Sequence, residues 1–322
     1  MATVRKAPRR TGSVAADEID LASVATRPTH DRVVMVSPAY ARDTGLAPAQ
    51  DGGEIDRERM YRQWAEVRTT LAGLARVDTL DPVRTWEGIA GIDGGSPPDA
   101  RTSTVAPPWR LPDMVFCANH GLPYPDERAV LRSEMATDLR ADEPAYLGAW
   151  CERAGYDVRT LDTDGHFEGM GDALWHPDRR LLWGAVGPRT DAAVYDEIAT
   201  RMETDVIVLD TPDERYFHLD TRLVPIDVET ALVVPGAFTD ADLAAIEAVF
   251  ERTIRVPADE ADPGGGYACN AHVVGDDVVM QAGNPETAAA LADAGYCVHP
   301  VETGELIRCG GSVFCATLSL PD

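Results

Sequence analysis

Four stretches of the sequence set reactive or polar side chains among apolar residues and glycines. Near the C-terminus, Arg308-Cys309-Gly310-Gly311-Ser312-Val313-Phe314-Cys315-Ala316-Thr317-Leu318-Ser319-Leu320 alternates from Ser312 onward in the manner of a strand. Val313, Cys315, Thr317 and Ser319 then share one face, and Phe314, Ala316, Leu318 and Leu320 the other. Cys315 is expected to point away from the apolar face, behind a glycine pair that leaves room for a backbone or a ligand. The second stretch, Phe167-Glu168-Gly169-Met170-Gly171-Asp172, spaces two carboxylates four apart around two glycines. Carboxylates that share a pocket titrate as a coupled pair. The third, Tyr216-Phe217-His218-Leu219-Asp220-Thr221, puts His218 and Asp220 on one face if it is extended. The fourth, Val115-Phe116-Cys117-Ala118-Asn119-His120-Gly121-Leu122, reads as a strand ending in an amide-bearing residue before a glycine.

Taken singly, each stretch also fits a bland reading: a turn, a satisfied core pair, or a small buried thiol. Together they supply a thiol, an imidazole and several carboxylates, the set that nucleophilic attack on a cationic planar group requires. A thiolate attacks, an imidazole moves protons, and carboxylates grip a guanidinium through paired hydrogen bonds.

The elements that must position these residues alternate between strands and helices. Val33–Val36 reads as a buried strand before Ser37-Pro38, and Met60, Trp64, Val67, Leu71 and Leu74 give helical spacing to 56–76. Strands are expected at 113–117, 181–186 and 206–209, and helices at 143–154, 192–202, 240–250 and from Asn284-Pro285 to Gly295. Thr239 is placed to cap the third of those helices. Val273-Val274-Gly275-Asp276-Asp277-Val278-Val279 has the pattern of a tight hairpin. Residues 1 to about 30 lack periodicity and are expected to form a disordered tail ahead of a single domain over 31–322. The stretch 81–112, rich in Gly, Pro, Ser and Asp, reads as an inserted loop or lid. The class is α/β, and neither a GxGxxG nor a GxxxxGK[ST] sequence supports nucleotide binding.

Composition narrows the partners. The chain of 322 residues carries 54 acidic against 29 basic residues, a formal charge of -25, and Lys6 is its sole lysine. Such a surface repels nucleic acid and anionic membranes, and suits concentrated salt, where screening removes the self-repulsion. No apolar run approaches a signal peptide or the roughly 20 residues of a membrane span, so a cytoplasmic location with reduced thiols is expected. The six cysteines form no CxxC pair, which argues against a disulfide framework or structural zinc.

In order, Val-Phe-x-Ala-Asn-x-Gly-Leu, Phe-Glu-Gly-x-Gly-Asp-Ala-Leu, Gly-x-Arg-Thr-Asp, Tyr-x-His-Leu-Asp-Thr and Gly-Gly-x-x-x-Cys-x-x-Leu resemble the guanidine-modifying (pentein) superfamily. The likeness, from about residue 31 to the end, is to its dimethylarginine dimethylaminohydrolase, arginine dihydrolase and amidinotransferase group. The resemblance implies a five-bladed α/β-propeller of ββαβ modules with the active site in its central channel. It implies no cofactor and a small guanidino substrate, and leaves a homo-oligomer open. By residue, it implies that Cys315 attacks the guanidinium carbon and that His218 protonates the departing amine and then activates water. Glu168 would orient His218 and hold guanidinium nitrogens, Asp172 and Asp220 would add substrate-binding carboxylates, and Arg189 would clamp a substrate carboxylate.

The chain departs from the family pattern in places. Asn119 stands where many members carry an aspartate, as in the arginine dihydrolase-like branch, and the asparagine that this branch places after its Pro-x-Tyr motif is missing from 41–53. The resemblance therefore leaves three activities: hydrolysis of a guanidino carbon, transfer of the amidino group to an amine, and non-catalytic binding of a guanidino compound. A metal-dependent hydrolase built on Cys269 and His272 has only two ligands in sight.

Overall fold

The computed structural model describes residues 3–5, 19, 21–45, 54–90, 105–262 and 265–322. Among these, the chain builds five small sheets from a recurring order of hairpin, helix and parallel third strand. The strands are β1 (Thr3–Arg5), β2 (Arg32–Val36), β3 (Arg76–Leu80), β4 (Gly121–Pro123), β5 (Ala129–Arg132) and β6 (Asp157–Arg159). They continue with β7 (Ala173–Trp175), β8 (Leu181–Val186), β9 (Asp205–Asp210), β10 (Leu223–Pro225), β11 (Thr230–Val233) and β12 (Arg252–Arg255). The last are β13 (His272–Val274), β14 (Asp277–Gln281), β15 (Cys297–Val301) and β16 (Leu318–Leu320). In β4-β5-β6, β7-β8-β9, β10-β11-β12 and β13-β14-β15 the first two strands run antiparallel and the last two parallel. The remaining unit draws on both ends of the chain: β16 pairs antiparallel with β2, and β2 parallel with β3.

Helices make the crossovers that parallel neighbours require. They are α1 (Arg57–Ala72), α2 (Pro82–Ile89), α3 (Glu143–Arg153), α4 (Val194–Arg201), α5 (Asp240–Val249), α6 (Ala258–Ala261), α7 (Pro285–Asp293) and α8 (Gly304–Ile307). The expected stripe Met60, Trp64, Val67 and Leu71 is the buried face of α1. Thr239 caps α5 through its Oγ1, which accepts from Asp242 N at 3.1 Å, a contact that stabilises such a helix by about 1 kcal/mol.

Four apolar clusters join the units. One spans β2, β5 and β8, one the β8 and β11 units, one the β11 and β14 units, and one the β14 and β2 units. Each unit thus shares its core with its chain neighbours, and the last shares with the first. Both faces of the central segments are enclosed, so they lose the inside-outside alternation of an ordinary strand.

Three expectations from sequence are revised here. The segment 1–30 is not wholly a free tail: β1 adds antiparallel to the edge strand β9, Ile19, Leu21 and Val24 pack against the core, and Arg27 donates to His176 O at 3.1 Å. The stretch 81–112 opens with helix α2, because Asp81 Oδ1 accepts from Val83 N and Arg84 N while Pro82 presets the first turn. Its later part, 91–104, lies outside the described residues. Finally, 113–117, 217–221 and most of 308–320 are tight turns, not strands; only Leu318–Leu320 at the end of the last stretch is extended. No helix of the described residues is long and apolar enough to cross a membrane.

Candidate active site

The reactive residues arrive by a repeated device. In each unit, a tight buried turn precedes the leading strand and carries one or two polar side chains inward. Asn119 lies in the turn Cys117–His120 before β4, and Glu168 immediately precedes the turn Gly169–Gly171 before β7. His218 immediately precedes Leu219–Thr221, which contains Asp220, before β10. Asn270 lies just before β13, and Cys315 just before β16. Gly171 permits the first two turns to meet the third: a Cβ there would fall 2.2 Å from Asn119 Nδ2 and 3.2 Å from the His218 ring. Of the glycine pair before Cys315, Gly311 makes room for protein, since a Cβ there would lie 2.6 Å from the Phe116 ring, while Gly310 lines a narrow pocket.

Cys315 is buried and held from several directions. Its Sγ donates to Asp220 Oδ2 at 3.2 Å and accepts from Asn270 Nδ2 at 3.1 Å. Asn270 Oδ1 in turn accepts from the backbone N–H groups of Ser312 and Cys315, both at 3.1 Å, and so fixes the turn that presents the sulfur. Burial, reinforced by the Asp220 charge, pushes the thiol well above its ordinary value, so the resting form is a thiol. Burial also raises Asp220, to about 6, against the opposing pull of His218. The second Asp220 oxygen, Oδ1, has no partner among the described residues.

His218 donates through Nε2 to Glu168 Oε2 at 2.7 Å. Burial opposes a charge on this imidazole, but the carboxylates of Asp172, Glu168 and Asp220 outweigh it and raise the pKa. Glu168 shows the reverse balance: burial would raise it, yet the hydrogen bond and charge of His218, with Arg140 and Arg189 beyond, hold it at about 2. The other Glu168 oxygen faces Ala136 N at 3.2 Å and Arg189 Nη1 at 3.5 Å. Glu168 thus orients His218. Asp172, expected to touch substrate, lies outside the pocket: its Oδ2 accepts from Thr190 Oγ1 at 2.7 Å and its Oδ1 from Leu219 N at 3.2 Å. It positions the His218 turn.

Asp113, Asn119, Arg140, Arg189, His218 and Cys315 line one narrow pocket walled by Phe116 and Phe217. Arg189 sits over the Phe217 ring at 4.9 Å. Arg140 donates to Glu143 Oε2 at 2.7 Å and to Asn119 Oδ1 at 3.0 Å, which turns the Asn119 amide so that its Nδ2 is left without a partner among the described residues. Asp113 Oδ1 is likewise unpartnered, and burial pushes this carboxyl up to about 7 despite the nearby Arg140. A larger cavity of about 300 Å³ lies beyond Asp220 and Phe314. Neither Cys315 nor His218 lines it, whereas both line the narrow pocket; Asp220, which lines the larger cavity, is bonded to Cys315.

Asn270, Arg140 and Asp113 were not singled out from sequence. For Asn270 a signal existed, because it occupies in the fifth unit the place that Asn119 and Asp220 occupy in theirs. Arg140 and Asp113 carried none. Of the alternative metal pair, His272 Nδ1 is bonded to Thr317 Oγ1 at 2.9 Å, and burial raises the Cys269 thiol well above its usual range. Neither belongs to a metal-ligating group of three among the described residues.

No family model matches the chain. It is 31% identical over 294 residues to the bifunctional arginine dihydrolase/ornithine cyclodeaminase ArgZ of Synechocystis sp., across 90% of this chain but 38% of that protein. It is 35% identical over 296 residues to the N(G),N(G)-dimethylarginine dimethylaminohydrolase of Mycobacterium tuberculosis, across 91% of this chain and 87% of that one. Among solved structures, the N-terminal domain of ArgZ covalently bound to a reaction intermediate superposes with a TM-score of 0.77 at 30% identity, covering 89% of this chain and 97% of that one. Its sequence, its five ββαβ units and these relatives agree: the chain belongs to the dimethylarginine dimethylaminohydrolase and arginine dihydrolase group of the guanidine-modifying (pentein) superfamily.

Proposed function

We propose that the protein is a hydrolase acting on the guanidino carbon of arginine or an arginine derivative, through a covalent adduct on Cys315. The observation that carries this is the meeting of the Cys315 thiol, held by Asp220 and Asn270, with the His218–Glu168 pair at one narrow pocket. The relatives named above as arginine dihydrolase and dimethylargininase support the substrate class. We read the five units as the blades of a propeller around that pocket, formed by a single catalytic domain from about residue 31 onward, consistent with the shared cores that run from each unit to the next.

The steps follow from the contacts. A planar cation entering the pocket favours the thiolate electrostatically, and the thiol proton passes to Asp220, its neighbour at 3.2 Å. The sulfur attacks the guanidino carbon, and protonated His218 gives its proton to the departing nitrogen, leaving a thiouronium adduct. Neutral His218 then takes a proton from water as the resulting hydroxide attacks the same carbon. The sulfur leaves as the new hydroxyl gives up its proton to it, the carbonyl forms, and Asp220 releases its proton to the departing ammonia through solvent. Glu168 keeps the imidazole oriented in both halves. Arg189, beside the mouth, suits a substrate carboxylate, and the unpartnered Asp113 Oδ1 suits a substrate N–H donor.

The test is mass spectrometry of products after incubation in high salt with arginine, dimethylarginine, agmatine and guanidinoacetate, each with and without glycine. Citrulline without glycine establishes hydrolysis of one C–N bond, and ornithine establishes removal of both nitrogens. Product only in the presence of glycine would make the protein an amidinotransferase. No product from any of them would overturn the reading.

A further inference from the structure

We propose that Asp277, Cys297 and His299 form a binding site for a divalent cation of zinc-like character at the outer edge of the β13-β14-β15 unit, away from the catalytic pocket. Strand pairing builds the site. In the parallel register, Asp277 lies opposite Cys297 and Val279 opposite His299, so the three ligating side chains share one face. Val278 and Val298 turn to the other face and pack in the apolar cluster shared with β11, which pins the register. A carboxylate oxygen, a thiol sulfur and an imidazole nitrogen therefore lie within 4.8 Å of one another.

Zinc binds at about 2.0–2.3 Å to N, O and S donors, so neighbouring ligands of a tetrahedral ion stand about 3.3–3.8 Å apart. His299 Nε2 and Asp277 Oδ1 stand at 2.6 Å, a hydrogen-bond distance, and must open by roughly 1 Å for the ion to take the proton's place. Side-chain rotation supplies that at an exposed edge. The mixed S, N and O set suits zinc or cobalt(II) over calcium or magnesium, which take oxygen donors. Water completes the fourth position.

Cys297 itself distinguishes this cluster from an ordinary histidine–aspartate pair. Among the described residues the other five cysteines are buried and this one is exposed. An exposed thiol invites oxidation, and coordination as a thiolate, with the proton released to solvent, masks it. The ion would clasp β14 to β15. The inference stands independently of the proposed reaction.

The experiment is a titration of the full chain with Co²⁺, in a Cys315→Ala background so that the catalytic sulfur contributes nothing. The expected result is a near-ultraviolet thiolate-to-cobalt band with visible bands of a tetrahedral ion, both lost in Cys297→Ser. Affinity is expected to fall roughly tenfold or more in His299→Ala. Zn²⁺ should raise the melting temperature of the parent and leave that of Cys297→Ser unmoved. Bands of equal strength in Cys297→Ser, or none in the parent, would overturn the site.

Discussion

Cys315 Sγ donates to Asp220 Oδ2 at 3.2 Å, so the thiol proposed as nucleophile rests protonated against a carboxylate that itself sits at about 6. The pair is costly to bury and useful only when a cation arrives. Because the folded carboxyl lies above its ordinary 3.8, the native state holds a proton that the unfolded chain has lost between those values. Asp220 therefore lowers stability progressively as pH rises through that window, and fully above it. Asp220→Asn is expected to stabilise the fold by on the order of 1–3 kcal/mol at neutral pH and to change little below pH about 4. Turnover should drop by about 10² or more. Denaturant melts at the two pH values check the sign, and a variant that is destabilised at neutral pH would contradict it.

Cys315→Ser is expected to abolish turnover, by about 10³-fold or more, while the melt stays near that of the parent. The serine keeps the bonds to Asp220 and Asn270 but cannot reach a useful alkoxide in this buried setting. Intact-mass spectrometry should find an adduct on the parent during turnover and none on the variant. Retained activity would remove Cys315 from the mechanism.

How far the sequence discloses this site depends on what shapes each residue's surroundings. Helices α1 and α5 and the hairpin at β13–β14 are legible because one face meets solvent and the other the core, which writes a period into the residues. The turns around Asn119, His218 and Cys315 are buried on every side, so an apolar-polar alternation there reflects partner chemistry and imitates a strand. Residue type and order nevertheless point to Cys315, His218 and Glu168, which the structure brings together: His218 bonds Glu168, and His218 and Cys315 line the same narrow pocket. A buried carboxylate that accepts from Thr190 and Leu219, as Asp172 does, looks in sequence like one facing a substrate. Arg140 and Asn270 act through hydrogen bonds to partners 21 and 45 residues away, which no local pattern records.

Glu168→Gln separates orientation from proton transfer. The carboxylate is held at about 2 in the folded protein, below its ordinary 4.5, so it adds stability above that value and loses it as pH falls between the two. The amide keeps the shape but leaves His218 without its charged partner, at a cost of about 3–5 kcal/mol above pH 4.5. The His218 pKa should fall, moving the basic limb of the kcat/KM profile to lower pH. A limb that does not move would show that Glu168 does not govern the imidazole.

Asn270→Ala deprives the sulfur of its amide donor and leaves the N–H groups of Ser312 and Cys315 unmatched. Each orphaned buried donor costs about 1–3 kcal/mol, so a measurable loss of stability is expected. The thiolate loses a hydrogen bond as well, so alkylation of Cys315 by iodoacetamide should slow relative to the parent at the same pH. An unchanged alkylation rate would leave Asn270 a purely structural residue.

Arg189→Lys tests substrate recognition at the mouth of the pocket. The guanidinium sits over Phe217, 4.9 Å from the ring centroid, and reaches Glu168 Oε1 at 3.5 Å, a posture in which its fork can still face an incoming carboxylate. Lysine keeps the charge but loses the planar stack and the paired donors. For a substrate bearing an α-carboxylate, a charged hydrogen bond of about 1.5–3 kcal/mol is at stake, or roughly 10- to 150-fold in kcat/KM, carried mainly by KM. For agmatine, which has no carboxylate, the same substitution should cost little. The ratio of the two effects is the readout: equal losses on arginine and agmatine would mean that Arg189 acts through Glu168, by steadying the His218 partner, and that the carboxylate is held elsewhere.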